Sequence, residues 1–257
     1  SRIPPGLWHC WRMISVLKKE VVEIQGEFCT GSGVAYTLGT EEVILTNRHV
    51  AECLYPLAQA RIYDYNGNSV SVRIIRVPGN NDDFAVVFYN RQLDVTSAAM
   101  QDIPGDLKGR TVVAIGNPRG LTNSVSRGIV SAVRDTRADC YDLSAICIQT
   151  DATINHGNSG GGLFDFETGS LIGITTLGSN VQYAVNLNFA VDMASIDLRP
   201  SSVQSWQNFN PPVLCSDGTP LNKCSSSQTR SACVNGQLVP YCSVCGCPRD
   251  NPSCDTD

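Results

Sequence analysis

Residues 151–161 read Asp-Ala-Thr-Ile-Asn-His-Gly-Asn-Ser-Gly-Gly, and this glycine-rich stretch predicts how the rest of the chain is arranged. A serine hydroxyl is a poor nucleophile unless a base, an acid that orients the base and donors for a developing oxyanion lie close to it. The surrounding glycines permit a tight backbone path on which the amides of Gly157 and Ser159 can converge on one oxygen. The stretch therefore predicts a nucleophile at Ser159 and an oxyanion hole formed by Gly157 and Ser159.

Two candidate partners lie upstream, each at the end of an apolar, strand-like run. The run Glu42–Thr46 is followed by Asn-Arg-His, which places His49 on a rigid strand end. A polar turn leads into the run Phe84–Phe88 and places Asp83 at the mouth of that strand. An imidazole that takes a proton and a carboxylate that holds its tautomer are the groups that a serine nucleophile requires. We therefore predict a catalytic triad of His49, Asp83 and Ser159.

With these residues identified, the chain resembles the trypsin-like (chymotrypsin-fold) serine peptidases, and most closely their HtrA/Deg branch. Six motifs of that branch recur here in the same order: TGSGVAY at 30–36, ILTNRHVAE at 44–52, DDFAVV at 82–87, AIGNPRG at 114–120, TDATINHGNSGGGL at 150–163 and GSLIGITTL at 169–177. The resemblance covers residues 26–195 and extends to no PDZ segment. The peptide sensing and cage assembly typical of that branch are therefore not carried over.

The resemblance implies an all-β fold of two six-stranded antiparallel β-barrels, with His49 and Asp83 on the first barrel and Ser159 on the second. Short strands separated by turn signals favour the same class. The expected domains are a peptidase domain at 1–200 (barrel one at 12–100, barrel two at 101–200), a linker at 201–214 and a cysteine-rich tail at 215–257. A short helix over 193–198 is expected to close the second barrel and to be stopped by Pro200.

The same resemblance implies which residues contact a polypeptide substrate. The strand edge that pairs with the substrate backbone is expected to comprise Thr176, Leu177 and Gly178. The primary specificity pocket is expected to be lined by Thr153, Ile154, Thr175, Leu187 and Phe189. No carboxylate lies among these five residues, and Leu187 and Phe189 are expected to make the pocket shallow. We therefore predict a preference for small or medium uncharged side chains.

Three residues beside the predicted site depart from the pattern or compete with it. His156 replaces the proline usual in the HtrA branch, and it either contacts the leaving side of the substrate or lies at the rim of the cleft. Asp82 competes with Asp83 for the acid role, but the family places its acid directly before the apolar run, so Asp82 is expected to be a solvated turn residue. Asn158 stands where activated zymogens carry an aspartate, so other contacts are expected to hold the oxyanion loop.

Twelve cysteines predict an oxidising compartment, because so many thiols are unusual in a reduced one. Seven lie in the tail and five lie before it, so complete pairing within the chain requires at least one bridge between the two groups. Cys140 and Cys147 bracket a short turn that a hairpin bridge can close. Many peptidases of the resembled fold close the histidine loop with a bridge, which implies a pairing of Cys29 with Cys53. By elimination, Cys10 is expected to pair with a tail cysteine.

Composition and charge argue against several function classes. The chain has 257 residues and a net charge of −5, without a clustered basic run, which argues against nucleic acid and anionic membrane surfaces as partners. No apolar run reaches the length that spans a bilayer. The cysteines at 242, 245 and 247 have a spacing that occurs in zinc sites, but disulfides are favoured because a zinc site would leave an awkward remainder of thiols. We expect no metal and no cofactor.

The leading hypothesis is therefore a secreted serine endopeptidase acting on polypeptides, with the tail as a disulfide-stapled appendage for anchoring, stability or partner binding. The alternative is a catalytically silent peptide-binding protein on the same fold, against which the complete set of His49, Asp83 and Ser159 argues. An esterase with the same triad is disfavoured, because the nucleophile lacks the Gly-x-Ser-x-Gly elbow of α/β-hydrolases. The oligomeric state and the natural substrate stay open.

Overall fold

Two closed six-stranded antiparallel β-barrels make up the body of the protein, as expected from the sequence. The computed structural model describes residues 12–26, 29–52, 54–80, 82–90, 92–101, 103, 105–117, 124–141, 143–155, 157–176, 188–209, 215, 219, 231–234 and 237–240. A short helix, α1 over residues 12–17, precedes the first barrel. Among the described residues no helix has the length and apolar character needed to cross a membrane.

The first barrel consists of β1 (Val21–Gln25), β2 (Thr30–Leu38), β3 (Glu41–Thr46), β4 (Arg61–Tyr63), β5 (Ser69–Val77) and β6 (Ala85–Tyr89). Its strand order is β5-β4-β1-β2-β3-β6, and pairing between β5 and β6 closes it. Helix α2 (Arg48–Glu52) follows β3, and a 3₁₀ turn (Leu57–Gln59) precedes β4. Strands β4 and β5 form a hairpin around Asn66-Gly67, and their register pairs Ile62 with Val70.

The second barrel consists of β7 (Thr111–Gly116), β8 (Ser124–Arg134), β9 (Cys147–Thr150), β10 (Gly162–Asp165), β11 (Leu171–Thr176) and β12 (Asn188–Asp192). It closes in the order β10-β11-β12-β9-β8-β7. No local sequence pattern predicts β10, because its four residues are all buried and show no alternation. Strands buried on both faces lack the alternation of polar and apolar residues by which strands with one exposed face are recognised.

The two barrels share an apolar cluster, and this explains the continuous apolar runs of the strands between them. In β3, Val43 and Leu45 belong to the shared cluster, whereas Ile44 belongs to the interior of the first barrel. In β7, Val113 and Ile115 join the same shared cluster from the second barrel. Each such side chain, fully buried, stabilises the fold by about 1.5–3 kcal/mol. The shared cluster therefore fixes the barrels against each other.

The region after the second barrel differs from the prediction. The expected helix over 193–198 is reduced to a 3₁₀ turn (Met193–Ser195), and Pro200 begins a helix, α3 (Pro200–Ser205), instead of stopping one. Proline is tolerated at this position because the first N–H groups of a helix have no intrahelical partner. The prediction that Pro200 ends a helix was therefore wrong.

Residues 201–209, expected to be linker, pack against the first barrel. The Trp206 ring meets Phe84 edge-on at a centroid distance of 6.1 Å, and β13 (Gln207–Asn208) pairs with β5. The Phe209 N–H donates to the Ile75 carbonyl at 2.9 Å. The domain limits themselves stay predictions.

Disulfides are present in both the body and the tail. The predicted bridge between Cys140 and Cys147 is confirmed, and a further bridge joins Cys215 to Cys233 within the tail. Cys29 is disulfide-bonded, but its predicted partner Cys53 lies outside the described residues, as does Cys10.

The described part of the tail includes a hairpin that lies against the first barrel. The two strands are β14 (Ser231–Val234) and β15 (Gln237–Pro240). The Cys215–Cys233 bridge is buried in a small cluster with Tyr55 and Leu238. This cross-link replaces the apolar core that so polar a segment lacks.

Glu20 is a buried carboxylate between α1 and β1. Its residue is 5% exposed, and its Oε2 atom is buried without a hydrogen-bond partner among the described residues. Burial raises the pKa of Glu20 to about 8. In the unfolded chain this carboxyl ionises near its usual pKa, so folding is progressively opposed as the pH rises from the unfolded pKa towards the folded one.

We predict that Glu20→Gln removes this pH dependence. Wild-type protein should lose about 3 kcal/mol of unfolding free energy, relative to the variant, between pH 5 and pH 8. Denaturant unfolding at the two pH values measures the difference. The surface variant Glu167→Gln is the control, because its side chain is 79% exposed. The prediction would be contradicted if wild type and Glu20→Gln differed in unfolding free energy by the same amount at both pH values.

Candidate active site

His49 lies on α2, directly after β3, and faces the carboxylate of Asp83. The His49 Nδ1 atom is 3.0 Å from Asp83 Oδ1 and 2.9 Å from Asp83 Oδ2. The His49 main-chain N–H also donates to Asp83 Oδ1 at 3.0 Å. The Asn47 side-chain amide donates to the Asp83 main-chain carbonyl at 3.1 Å. Both the backbone and the side chain of Asp83 are thus held by the segment that carries His49.

Thr176, at the end of β11, completes the shell of Asp83 from the second barrel. Its hydroxyl donates to Asp83 Oδ2 at 2.9 Å. The side chain of Asp83 is 12% exposed, whereas that of His49 is 44% exposed. The Asp83 carboxylate is therefore enclosed, and the His49 imidazole that it contacts is accessible to solvent.

The charges and hydrogen bonds around His49 and Asp83 favour an imidazolium beside a carboxylate. Desolvation alone would lower the pKa of His49, but the charge of Asp83, the hydrogen bond to it and the charge of Glu52 outweigh this effect and raise the pKa above its usual value. Desolvation likewise opposes ionisation of Asp83, but the charge and hydrogen bonds of His49 and the bond from Thr176 lower the pKa of Asp83. Burial raises the pKa of Glu52 to about 6. An imidazolium beside Asp83 is thus stabilised.

The loop that carries Ser159 is held by Ser32 of β2. The Ser32 hydroxyl donates to the Gly157 carbonyl at 2.7 Å, and the Ser32 N–H donates to the Ser159 carbonyl at 2.9 Å. The Asn117 N–H donates to the Ser32 hydroxyl at 2.8 Å. Ser159 itself is 7% exposed. A single residue of the first barrel thus contacts three points of the second.

Gly160 allows this approach, and no larger residue fits. Its φ is +85°, and a Cβ atom there would lie 2.0 Å from the Ser32 carbonyl oxygen and 2.3 Å from Thr46 Oγ1. Gly157 also has a positive φ, of 96°. The glycines of the motif are therefore explained by backbone conformation and close packing.

The predicted substrate-contacting residues fall into three groups. Ile154, Thr175, Thr176 and Phe189 are buried, at 4%, 1%, 1% and 2% exposure, and Thr153 is exposed. The Thr175 hydroxyl donates to the Asn158 carbonyl at 2.7 Å, so it also supports the loop that carries Ser159. The predicted residues His156, Leu177, Gly178 and Leu187 lie outside the described residues. Their roles stay predictions.

Sequence reasoning missed the structural roles of Ser32 and of the Thr176 hydroxyl, and it was wrong about Asp82. Asp82 is 2% exposed and forms an ion pair with Arg137, so it is not a solvated turn residue. Arg137 lies 55 positions further along the chain. No local pattern indicates a contact of that separation, and the family pattern assigns a role only to the neighbouring acid.

We predict that Asp83→Asn lowers the pKa of His49. The opposite charge that stabilises the imidazolium is removed, while the size of the side chain is kept. ¹H–¹⁵N NMR titration of the histidine side chains measures this pKa, and the chain has three histidines. Asp94→Asn, at an exposed position of the first barrel, is the control. An unchanged His49 titration in Asp83→Asn would disprove the electrostatic coupling.

The sequence of the chain is similar to those of known serine proteases. The sequence profile of a trypsin-like peptidase domain matches residues 31–174, a range that contains His49, Asp83 and Ser159. The chain is 37% identical over 180 residues to the serine endoprotease DegS of Haemophilus influenzae, a match covering 66% of this chain and 49% of DegS. It is 34% identical over 180 residues to the serine protease Do-like HtrA of Bacillus subtilis, covering 66% of this chain and 38% of that protein.

Solved structures show the same architecture. The HtrA-type protease AlgW, in a structure with a tripeptide, superposes with a TM-score of 0.60 at 28% identity, covering 72% of this chain and 60% of AlgW. A serine endoprotease from Yersinia pestis gives a TM-score of 0.59 at 27% identity, covering 75% of this chain and 64% of that one. The chain spans less than half the length of the two curated relatives.

Proposed function

Because the chain belongs to the trypsin-like peptidase family, we propose that it is a serine endopeptidase that hydrolyses polypeptides through Ser159, His49 and Asp83. The observation that carries the proposal is the contact of His49 Nδ1 with both oxygens of Asp83. This contact keeps the proton on Nδ1, so the other ring nitrogen is available as a base. The relatives named above are serine proteases, which supports the same reaction class.

In the proposed reaction His49 takes the proton of the Ser159 hydroxyl as the oxygen attacks the scissile carbonyl. The amides of Gly157 and Ser159 donate to the oxyanion that forms. His49 then returns the proton to the leaving amine, and an acyl-enzyme remains on Ser159. Water, activated by the same imidazole, hydrolyses the acyl-enzyme. Asp83 stays ionised throughout and stabilises the imidazolium.

The proposed specificity is for small or medium uncharged side chains before the scissile bond. Ile154 and Phe189 are the buried apolar members of the proposed pocket. The Phe189 ring also packs against Tyr141 at a centroid distance of 5.4 Å, which restricts its movement away from the pocket. The two described disulfides support the proposal of a secreted protein, because such bridges persist in oxidising compartments.

The triad is tested by labelling with a fluorophosphonate probe and by peptide hydrolysis. Wild type should be labelled at Ser159, as located by mass spectrometry, and His49→Ala should abolish labelling. Ser159→Ala and His49→Ala should each lower the hydrolysis rate by at least about 10⁴-fold. Ser131→Ala, in β8, is the control and should behave as wild type. Absent labelling of the folded, oxidised wild type would contradict the triad and favour a catalytically silent peptide-binding protein.

Specificity is tested with a peptide library. Cleavage after Ala or Val should exceed cleavage after Lys, Arg, Asp or Glu by at least about tenfold, because a pocket without a carboxylate or a cation cannot pair a buried charge. Phe189→Ala should shift the preference towards larger apolar side chains. Phe166→Ala, an aromatic truncation elsewhere on the second barrel, should not. Strong cleavage after Lys or Arg would refute the proposed pocket.

A further inference from the structure

A disulfide-closed loop of the second barrel covers the segment that carries Asp83. The loop connects β8 to β9, and the Cys140–Cys147 bridge ties its tip to the first residue of β9. Both cysteines are fully buried and pack with Phe189. Tyr141 has a left-handed φ of 51°, which a bulky residue rarely adopts, and its ring is held against Phe189. A disulfide and an aromatic contact thus hold Cys140 and Tyr141 at the tip of the loop.

The described residues of this loop, here called the clamp loop (residues 135–141 and 143–146), contact those of the acid segment (residues 78–80 and 82–84) through main-chain groups of the loop. The Asp83 N–H donates to the Leu143 carbonyl at 2.6 Å. The Ala145 N–H donates to Asp82 Oδ1 at 3.2 Å. The acid segment belongs to the first barrel by sequence, yet its position is set by main-chain groups of the second.

Asp82 is the charged centre of this contact. Its carboxylate pairs with Arg137, and the Asn80 side-chain amide donates to Asp82 Oδ2 at 2.6 Å. The Arg137 guanidinium also donates to the Asn80 carbonyl at 2.6 Å. A carboxylate as buried as Asp82 is stable only with such partners, so loss of either member of the ion pair must rearrange the contact.

We propose that Asp82 and Arg137 are positioning residues for the peptidase reaction, and that their ion pair docks the acid segment on the clamp loop and so orients Asp83 towards His49. Neither residue touches the reacting atoms. The carboxylate of Asp83 must meet His49 and Thr176 at the same time, and these lie on different barrels. Asp82 is the direct neighbour of Asp83 in sequence, so a displacement of Asp82 changes the orientation of Asp83 more directly than a displacement of a more distant residue.

The proposal rests on the proposed function for its kinetic readout only. The variants are Asp82→Asn, Arg137→Gln and the double variant. Arg134→Gln is the matched control, since Arg134 lies at the start of the same connection and bonds to Gln149 at an exposed site. Asp82→Asn and Arg137→Gln should each lower kcat by about 10- to 100-fold with little change in KM, because a small displacement of a catalytic group has this cost. The double variant should lose no more than either single one.

The NMR titration of His49 gives a readout that does not require turnover. When Asp83 is displaced, the pKa of His49 should fall in both variants, and the acid limb of the kcat/KM profile should move to lower pH by the same amount. The charge of Glu52, on the same helix as His49, also raises the pKa of His49 and is unchanged in all variants. A loss of global stability alone would not shift this pKa.

The outcomes separate the two proposals. If wild type hydrolyses no peptide but the His49 pKa falls in the variants and not in Arg134→Gln, the positioning role holds and the proposed function fails. If wild type is active and both kcat and the His49 pKa of the variants match the control, the positioning role is overturned. Should either single variant fail to fold, the double variant decides the question, because it leaves neither the buried carboxylate nor the guanidinium without its ion partner.

Discussion

The apolar cluster shared by the two barrels is the constraint on which the rest of the structure depends. Strands β3, β6, β7, β10 and β11 all contribute side chains to it. His49 follows the first of these strands, Asp83 precedes the second, Ser159 precedes β10 and Thr176 ends β11. Because packed strands are rigid and closely fitted, their ends cannot move independently. Burial of apolar side chains, which have no catalytic chemistry of their own, thus brings four polar residues from distant parts of the chain to one edge of the two barrels.

Apolar packing is non-directional, so polar contacts must fix the final register of the barrels. Ser32 supplies such contacts, through its hydroxyl to Gly157 and its N–H to Ser159. The Thr46 hydroxyl donates to the Ser32 carbonyl at 2.7 Å, which ties the strand before His49 to the same point. Gly160 lets these groups approach closely. The loop that carries Ser159 and the segment that carries His49 are thus both held by one residue of β2.

Much of the fold was predictable because two of its signals are local in sequence. These signals are the alternation of polar and apolar residues and the polar residues at the ends of strands. The hairpin of β4 and β5, the strands before His49 and after Asp83 and the Cys140–Cys147 bridge all follow from residues within ten positions of one another. The strand β10 was missed because its two faces are both buried. Pro200 was misread because proline both ends and begins helices, and the choice depends on packing of the residues that follow.

The candidate site was likewise predictable only where features close together in the sequence define it. Glycine-rich sequence and strand ends indicated His49, Asp83 and Ser159 as candidates, but the contacts that hold them join residues far apart in the chain. Ser32 and Gly157 are separated by 125 positions, and Thr176 and Asp83 by 93. No periodicity or local propensity carries information over such distances, and only the closed barrels reveal these pairs.

Asp82 and Asp83 show how a local turn and a long-range contact combine. The two residues lie in a bend before β6, in which the Phe84 N–H donates to the Asp82 carbonyl at 2.7 Å. The carboxylate of Asp83 contacts His49, and the carboxylate of Asp82 does not. Here the second carboxylate is not left to solvent, because the loop closed by Cys140 and Cys147 brings Arg137 against it. The charge that holds the segment in place and the charge that orients His49 are consecutive residues, so a displacement of either one is transmitted directly to the other.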